Sequence, residues 1–315
     1  ILMALALLKI VCIYRGIKWG LAAYGVMLFL PPFIFTGVLF GQCDSWFLAP
    51  SLWCVYYCLR DRWAAAGLLF GTALMMKPQA FIIAPTLIYF FARRKDFWPS
   101  AIFVGSSLAV ITVLSLPFMA TSALAWLENS YLHNFTELMP YTTLNAFNFW
   151  MIDFIYNGNL DVNAALLGIS KKNWGLLLVC LALGAGFYSV FRRCPNEKLV
   201  LPLLAALSYT GIFLFSTRVH GRYMIYILPF FLVSALIEKR FWIPLAGFAI
   251  MASLETSLPL WFVPGINLSG ATSLQLLAIL LFSVTGLALY VWWLVEIWTT
   301  SASQCISDNR RQGNR

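Results

Sequence analysis

A chain of 315 residues that is 61% apolar and only 10% charged is not an ordinary soluble domain, because such domains run at about 45–50% apolar and about 25% charged. Apolar stretches recur from Ile1 to Trp298 with short polar breaks between them, which excludes disordered, collagen-like and disulfide-scaffold classes and predicts an all-α polytopic membrane protein embedded in a lipid bilayer. The net charge of +9 then reports orientation before it reports any acidic ligand, and no nucleic-acid partner is expected.

In chain order the apolar segments fall near 1–14, 19–40, 46–59, 64–76, 79–92, 98–119, 174–191, 199–216, 223–237, 241–254 and 273–298. They predict one transmembrane domain over 1–299, of about 10–11 segments, with 300–315 as a polar cytoplasmic tail. The chain opens inside an apolar run with no initiator Met, so it reads as a fragment lacking its true N-terminus. Only some segments reach the ~20 residues of a straight crossing. The short ones at 46–59, 64–76 and 79–92 are expected to be half-length, re-entrant, tilted or buried among other helices. Pro78 lacks an N–H and disfavours helix at Lys77, which predicts a hairpin over 64–92 with Lys77 at its tip. The seven Cys are scattered without a C-x-x-C spacing and read as small buried hydrophobes.

Strict alternation of the segments puts Arg15/Lys18, Arg60/Arg62, Arg93/Arg94/Lys95, Arg192/Arg193/Lys198, Lys239/Arg240 and Arg310/Arg311/Arg315 on one face. These hold fifteen of the 21 basic residues, so that face is predicted to be cytoplasmic. The other face receives Lys77, Lys171, Lys172, Arg218 and Arg222, in outer loops at 41–45, 77–79, 120–173, 217–223 and 255–272.

The chemistry-bearing residues collect in those outer loops. Asp44 is either a solvated turn residue or a carboxylate facing a polar cavity, as base, metal ligand or binder of sugar hydroxyls; an ionisable group near the apolar zone usually has a function or a partner. Lys77 either snorkels from a helix end or aims at an anionic headgroup. Arg218, His220 and Arg222 lie within five residues on the face that should be poor in cations, and guanidinium forks suit phosphate oxygens; an interfacial belt with Tyr223 and Tyr226 is the bland alternative. The loop 120–173 offers aromatic faces and amides, as a pyranose requires, or else an interfacial amphipathic helix. Two glycosylation tripeptides, at Asn134 and Asn267, are too frequent by chance to carry weight.

The blocks GQCDS at 41–45, AGLLFGTALMMKPQA at 66–80, YTTLNAFNFW at 141–150, GIS-KKNWG at 168–175 and STRVHGRYMIYILP at 216–229 resemble, in order and spacing, bacterial relatives of GPI mannosyltransferase II. These are multi-pass enzymes of the GT-C superfamily that use polyprenyl-phosphate sugars. The resemblance covers about 20–240. It departs at Gly221, where the family usually reads Glu, and in a first outer loop bearing an acidic residue, which this chain does not contain.

The resemblance implies a GT-C-like helix bundle and a mannosyltransferase that takes a polyprenyl-phosphate-linked sugar donor and a glycan, glycolipid or protein acceptor at the outer face of a bacterial plasma membrane, or the ER membrane of a eukaryote. It places the principal base in the first outer loop, so that Asp44, the catalytic candidate among the residues present, resembles the acidic residue of a later loop that binds sugar hydroxyls, a metal or the acceptor; Arg222, Arg218, His220 and Lys77 around the donor phosphate; and Gln42, Gln79, Asn145, Asn148 and Trp150 around sugar and acceptor. A divalent metal ion is an optional cofactor. The competing classes are a transporter or flippase of lipid-linked sugars, which would spread polar groups over both faces, and an outer-face glycan ligase or polymerase.

Overall fold

A computed structural model describes residues 1–119, 125–133, 139–193, 197–261, 268 and 271–299. The tail 300–315, most of the loop after 261, and the Asn134 and Asn267 tripeptides lie outside the described residues.

The fold is an all-α membrane bundle. Its helices are α1 (Leu2–Arg15), α2 (Ile17–Phe29), α3 (Pro31–Ile34), α4 (Asp44–Leu59), α5 (Trp63–Met76), α6 (Ala84–Arg94), α7 (Phe97–Ser115), the single turn α8 (Ala125–Leu127), α9 (Phe149–Asn157), α10 (Lys171–Arg193), α11 (Glu197–Phe215), α12 (Ile227–Ile237), α13 (Trp242–Trp261) and α14 (Ser273–Thr299). Among the described residues three helical stretches, Phe97–Phe118, Lys171–Arg192 and Ser273–Thr299, are long and apolar enough to cross a membrane. Their outward faces carry Val104, Leu108, Leu176, Leu181, Leu277 and Leu281, all exposed, as lipid-facing surfaces must be. The predicted segment 19–40 is broken at Pro31-Pro32, whose missing N–H groups and ring sterics bend the chain by 49°. Helix α12 is apolar all round and buried from Ile227 to Leu236, so it is a core helix of the bundle.

Three of the basic clusters meet at one end. An Arg94 Nη1–Asp61 Oδ1 ion pair spans 3.1 Å, the Arg94 guanidinium lies 4.7 Å from the Trp63 ring, and the Arg93 guanidinium lies 5.6 Å from the Phe191 ring beside Arg192. The 64–92 hairpin forms as the Lys77-Pro78 break requires. Lys77 is extended (φ −159°, ψ 130°), and a 3-10 turn over Pro78–Ile83 carries the chain into α6.

Two loop expectations are corrected at the opposite end. The stretch 120–173 is a folded lobe over its described part: β1 (Thr143–Leu144) pairs in parallel with β4 (Val219–His220), β2 (Ala165–Leu166) pairs with β3 (Ile169–Ser170), and α9 packs between them in the chain. Its clamp is a buried ion pair, Lys171 Nζ to Asp153 Oδ2 at 2.5 Å, with Asn157 Nδ2 donating to Asp153 Oδ1 at 2.7 Å and Lys171 Nζ donating to the Asn159 carbonyl at 2.8 Å. Lys171 is therefore the satisfied first residue of α10 and not a loose outer cation. Likewise 255 is not the start of a loop: α13 continues to Trp261, and Glu255 sits within it.

Candidate active site

The site is assembled by the first residue of α4, the α5–α6 break and the turn that follows β4. Asp44, the first residue of α4, is 1% exposed, which rules out the solvated-turn alternative. A carboxylate in the first helical turn is favoured by the helix dipole, but that alone does not offset burial of the charge. The balance comes from partners. Lys77 Nζ donates to Asp44 Oδ1, the Tyr226 hydroxyl donates to the same oxygen at 2.7 Å, and Arg222 Nε lies 3.7 Å from Oδ2. Lys77 Nζ also reaches the Tyr226 hydroxyl at 3.1 Å and lies 5.4–5.7 Å from the rings of Phe47, Tyr223 and Tyr226. It neither snorkels nor waits free for a headgroup.

Tyr223 and Tyr226 stack with centroids 5.1 Å apart because the turn Gly221–Tyr226 is a 3-10 helix, in which side chains three apart eclipse. Gln79 Nε2 donates to the Tyr223 hydroxyl at 3.1 Å, so Gln79 joins the cluster. His220 Nδ1 accepts the Arg222 backbone N–H at 3.4 Å, leaving Nε2 as the donor of the neutral ring. Burial first, and then the Arg222 guanidinium, push the His220 imidazole down to about 4. The ring is thus neutral at ordinary pH and can donate one hydrogen bond, but it adds no charge. Burial also lowers the Arg218 guanidinium from its usual value, far short of neutralising it at ordinary pH.

Several polar atoms around this turn are buried with no hydrogen-bond partner among the described residues: Asp44 Oδ2, Gln79 Oε1, Asn145 Oδ1, Arg222 Nε and Glu255 Oε2. Unmade bonds of this kind are costly in a finished core. Two of them, Asp44 Oδ2 and Arg222 Nε, face each other at 3.7 Å.

Of the other sequence-derived candidates, Gln42, Asn148 and Trp150 are engaged elsewhere. Arg218 has φ +63° and its backbone N–H donates to the Thr142 carbonyl at 3.0 Å, so its backbone continues the β1–β4 lobe. Gln42 Nε2 donates to the Phe40 carbonyl at 3.4 Å, within its own loop. Asn148 and Trp150 are 0% exposed. Asn148 Oδ1 caps α9 through the N–H groups of Trp150 and Met151, both at 3.1 Å, and its Nδ2 donates to the Phe213 carbonyl at 3.2 Å. Trp150 Nε1 donates to the Phe215 carbonyl at 2.8 Å. Both are consumed by packing behind the site and do not line a sugar pocket. Asn145, half-buried in the left-handed conformation at φ +55°, remains beside the turn.

Two contributors have no role in the sequence reading. Tyr226 reads there as part of an aromatic belt, although its spacing of three from Tyr223 is a visible signal. Glu255 carries its signal in being an acid inside an apolar helix. No group of three or more His, Cys, Asp or Glu gathers among the described residues. One carboxylate held between Lys77 and Arg222 does not fit a divalent cation, whose charge those two would repel.

No curated protein matches the chain. The model of glycosyltransferase family 87 matches residues 1–217, which takes in Asp44, Lys77 and Gln79 and stops short of Arg222, Tyr226 and Glu255. With more than half its length matched by that model, this multi-helix membrane chain belongs to glycosyltransferase family 87, a family of GT-C-type membrane glycosyltransferases.

Proposed function

We propose that the chain transfers a hexose, mannose by its resemblance to the GPI mannosyltransferase II relatives, from a polyprenyl-phosphate donor to a hydroxyl of a glycan, glycolipid or protein acceptor on the extracytoplasmic face. The observation that carries the reading is the Asp44–Lys77–Arg222–Tyr226 cluster: a buried carboxylate with one oxygen free of hydrogen bonds and paired only at 3.7 Å with Arg222, beside two cations, at the end of α5 opposite Arg60/Arg62. The acceptor oxygen attacks the anomeric carbon and its proton passes to Asp44 Oδ2. The bond from that carbon to the lipid phosphate breaks, and its electron pair leaves on the phosphate oxygen. Arg222 and the remaining N–H of Lys77 stabilise the charge that grows there. His220 donates one neutral hydrogen bond to the same phosphate, and Gln79 and Asn145 supply unpaired amide oxygens to sugar hydroxyls. A donor already activated as a phosphoester needs no nucleotide-binding domain.

The one-sided grouping favours transfer over a transporter, which needs polar groups exposed alternately to both faces. The test is purified full-length protein in detergent with labelled polyprenyl-phosphate mannose and candidate acceptors. Asp44→Ala and Arg222→Ala should each abolish transfer; unaltered transfer in both would sink the assignment.

A further inference from the structure

Glu255 lies in the interior of α13, 5% exposed, and its two oxygens have different environments. Oε1 accepts the backbone N–H of Phe147; Oε2 is buried without a hydrogen-bond partner among the described residues. A Cβ added at Gly221 would come within 3.6 Å of the Glu255 carboxyl carbon and 2.5 Å of the Asn145 carbonyl oxygen. Glu255 therefore bonds one turn and stands next to the space a side chain at a second would need. The first, Asn145–Phe147, leaves β1, and the second, beginning at Gly221, leaves β4. These strands pair in register, Thr143 with Val219 and Leu144 with His220, so the turns emerge side by side, and Asn145 meets Gly221 so closely that no side chain fits between them. One residue beyond Gly221 stands Arg222, whose Nε faces Asp44.

We propose that Glu255 is a positioning residue for the Arg222 turn: by holding the Phe147 N–H it pins the Asn145–Phe147 turn against Gly221 and so sets where the guanidinium stands relative to Asp44. A buried acid in an apolar helix is costly to keep and so calls for a partner or a role. What singles out this location is that the acid borders the side-chain space of the glycine preceding the cation of the site. The device also accounts for Gly221 itself. Any Cβ there would push the Arg222 turn off the Asn145 carbonyl, because the close atom is backbone and cannot swing aside.

The proposal rests on the reading of Arg222 as a donor-phosphate ligand, and its test has an arm that does not need that reading. In the full chain, purified in detergent, hydrogen exchange is followed in peptides covering 145–150 and 218–226 for wild type, Glu255→Ala, Glu255→Gln and Gly221→Ala. Glu255→Ala should speed exchange in both peptides, Gly221→Ala should speed it in 218–226, and Glu255→Gln, which keeps an acceptor oxygen, should restore protection in both. Faster exchange confined to 145–150 in Glu255→Ala would overturn the proposal, whether or not the protein transfers sugar. In the transfer assay Glu255→Ala should raise the donor KM by about tenfold, the loss expected for one misplaced hydrogen bond, with the acceptor KM unmoved and with rescue by Glu255→Gln. An equal loss against both substrates, or no rescue by the amide, would also overturn it. Wild type that transfers nothing would remove the phosphate reading and leave the exchange arm to decide the tether.

Discussion

Breaking the Asp44–Lys77 pair is the most direct probe of how the bundle holds a charge in its interior. The Asp44 side chain is 1% exposed and that of Lys77 17%, so the two deletions are not equivalent. Removing one partner of a buried pair costs about 3–5 kcal/mol, because the other is left charged and desolvated. Lys77→Met strands the deeper charge and falls in that range, eased by Arg222 at 3.7 Å and the Tyr226 hydroxyl at 2.7 Å. Asp44→Asn leaves an ammonium near enough to solvent to hydrate, so it costs about 2–3 kcal/mol on the same scale. The double variant removes both charges, and its loss should fall short of the summed singles by about 2–3 kcal/mol, as for residues in direct contact. Thermal unfolding in detergent, read by tryptophan fluorescence, converts these to midpoint shifts of about 2 °C per kcal/mol in a chain of this size. Lys77→Met is expected about 6–10 °C below wild type and the double variant no lower than Lys77→Met. Shifts that simply add would show that the two side chains do not share an interaction, and the site as described would be wrong.

The remaining outcomes follow from the same contacts. His220, pushed down to about 4 in the fold from about 6.5 when unfolded, is protonated only in the unfolded state between those values. Its stabilising contribution is complete above about pH 6.5 and declines by up to about 3 kcal/mol as the pH falls to 4. His220→Asn should flatten the stability profile over that window, and an unchanged slope would refute the assignment. Lys171→Ala should cost about 3–5 kcal/mol by stranding Asp153, whereas the paired replacement Asp153→Leu with Lys171→Met should unfold nearer wild type; equal losses would exclude a coupled pair. Trp150→Phe should lower stability by about 1 kcal/mol through loss of the bond to the Phe215 carbonyl and leave the KM for sugar donor unchanged; a changed KM would put the indole in the pocket after all. For orientation, Lys172→Cys on the exposed start of α10 and Arg60→Cys beyond α4 should react with an impermeant thiol reagent from opposite sides of the membrane, and labelling from one side would break the two-ended arrangement. Lys171 is unsuited to that probe because it is buried.

Most helices were legible because their signal is local. The apolar run 98–119 becomes Phe97–Phe118 and 273–298 becomes Ser273–Thr299, since in a membrane the chain must satisfy its own backbone and does so as helix. The lobe at 139–171 was not legible. Its strands are two residues long, and β1 exists through a partner 76 positions away, Thr143 with Val219, so that no window of sequence contains both. Asn148 and Trp150 show the related error: an amide and an aromatic in a polar loop fit a sugar pocket by composition, yet their hydrogen bonds go to Phe213 and Phe215 carbonyls, at the end of another helix.

The sequence by itself determined the class, the order of the segments and the separation of charge into two groups, because hydropathy and charge act residue by residue and the bilayer reads them in that way. Which ionisable groups meet was decided only by tertiary structure. Asp44, Lys77, Arg222, Tyr226 and Glu255 come from four separate stretches of chain, and each buried charge or acid is tolerable only where packing brings another element to it. The few charges beyond the topological set are therefore not a diffuse outer patch: one acid and two cations form a single cluster, Lys171 is bound in a clamp, and an unforeseen acid stands beneath the turn that carries Arg222.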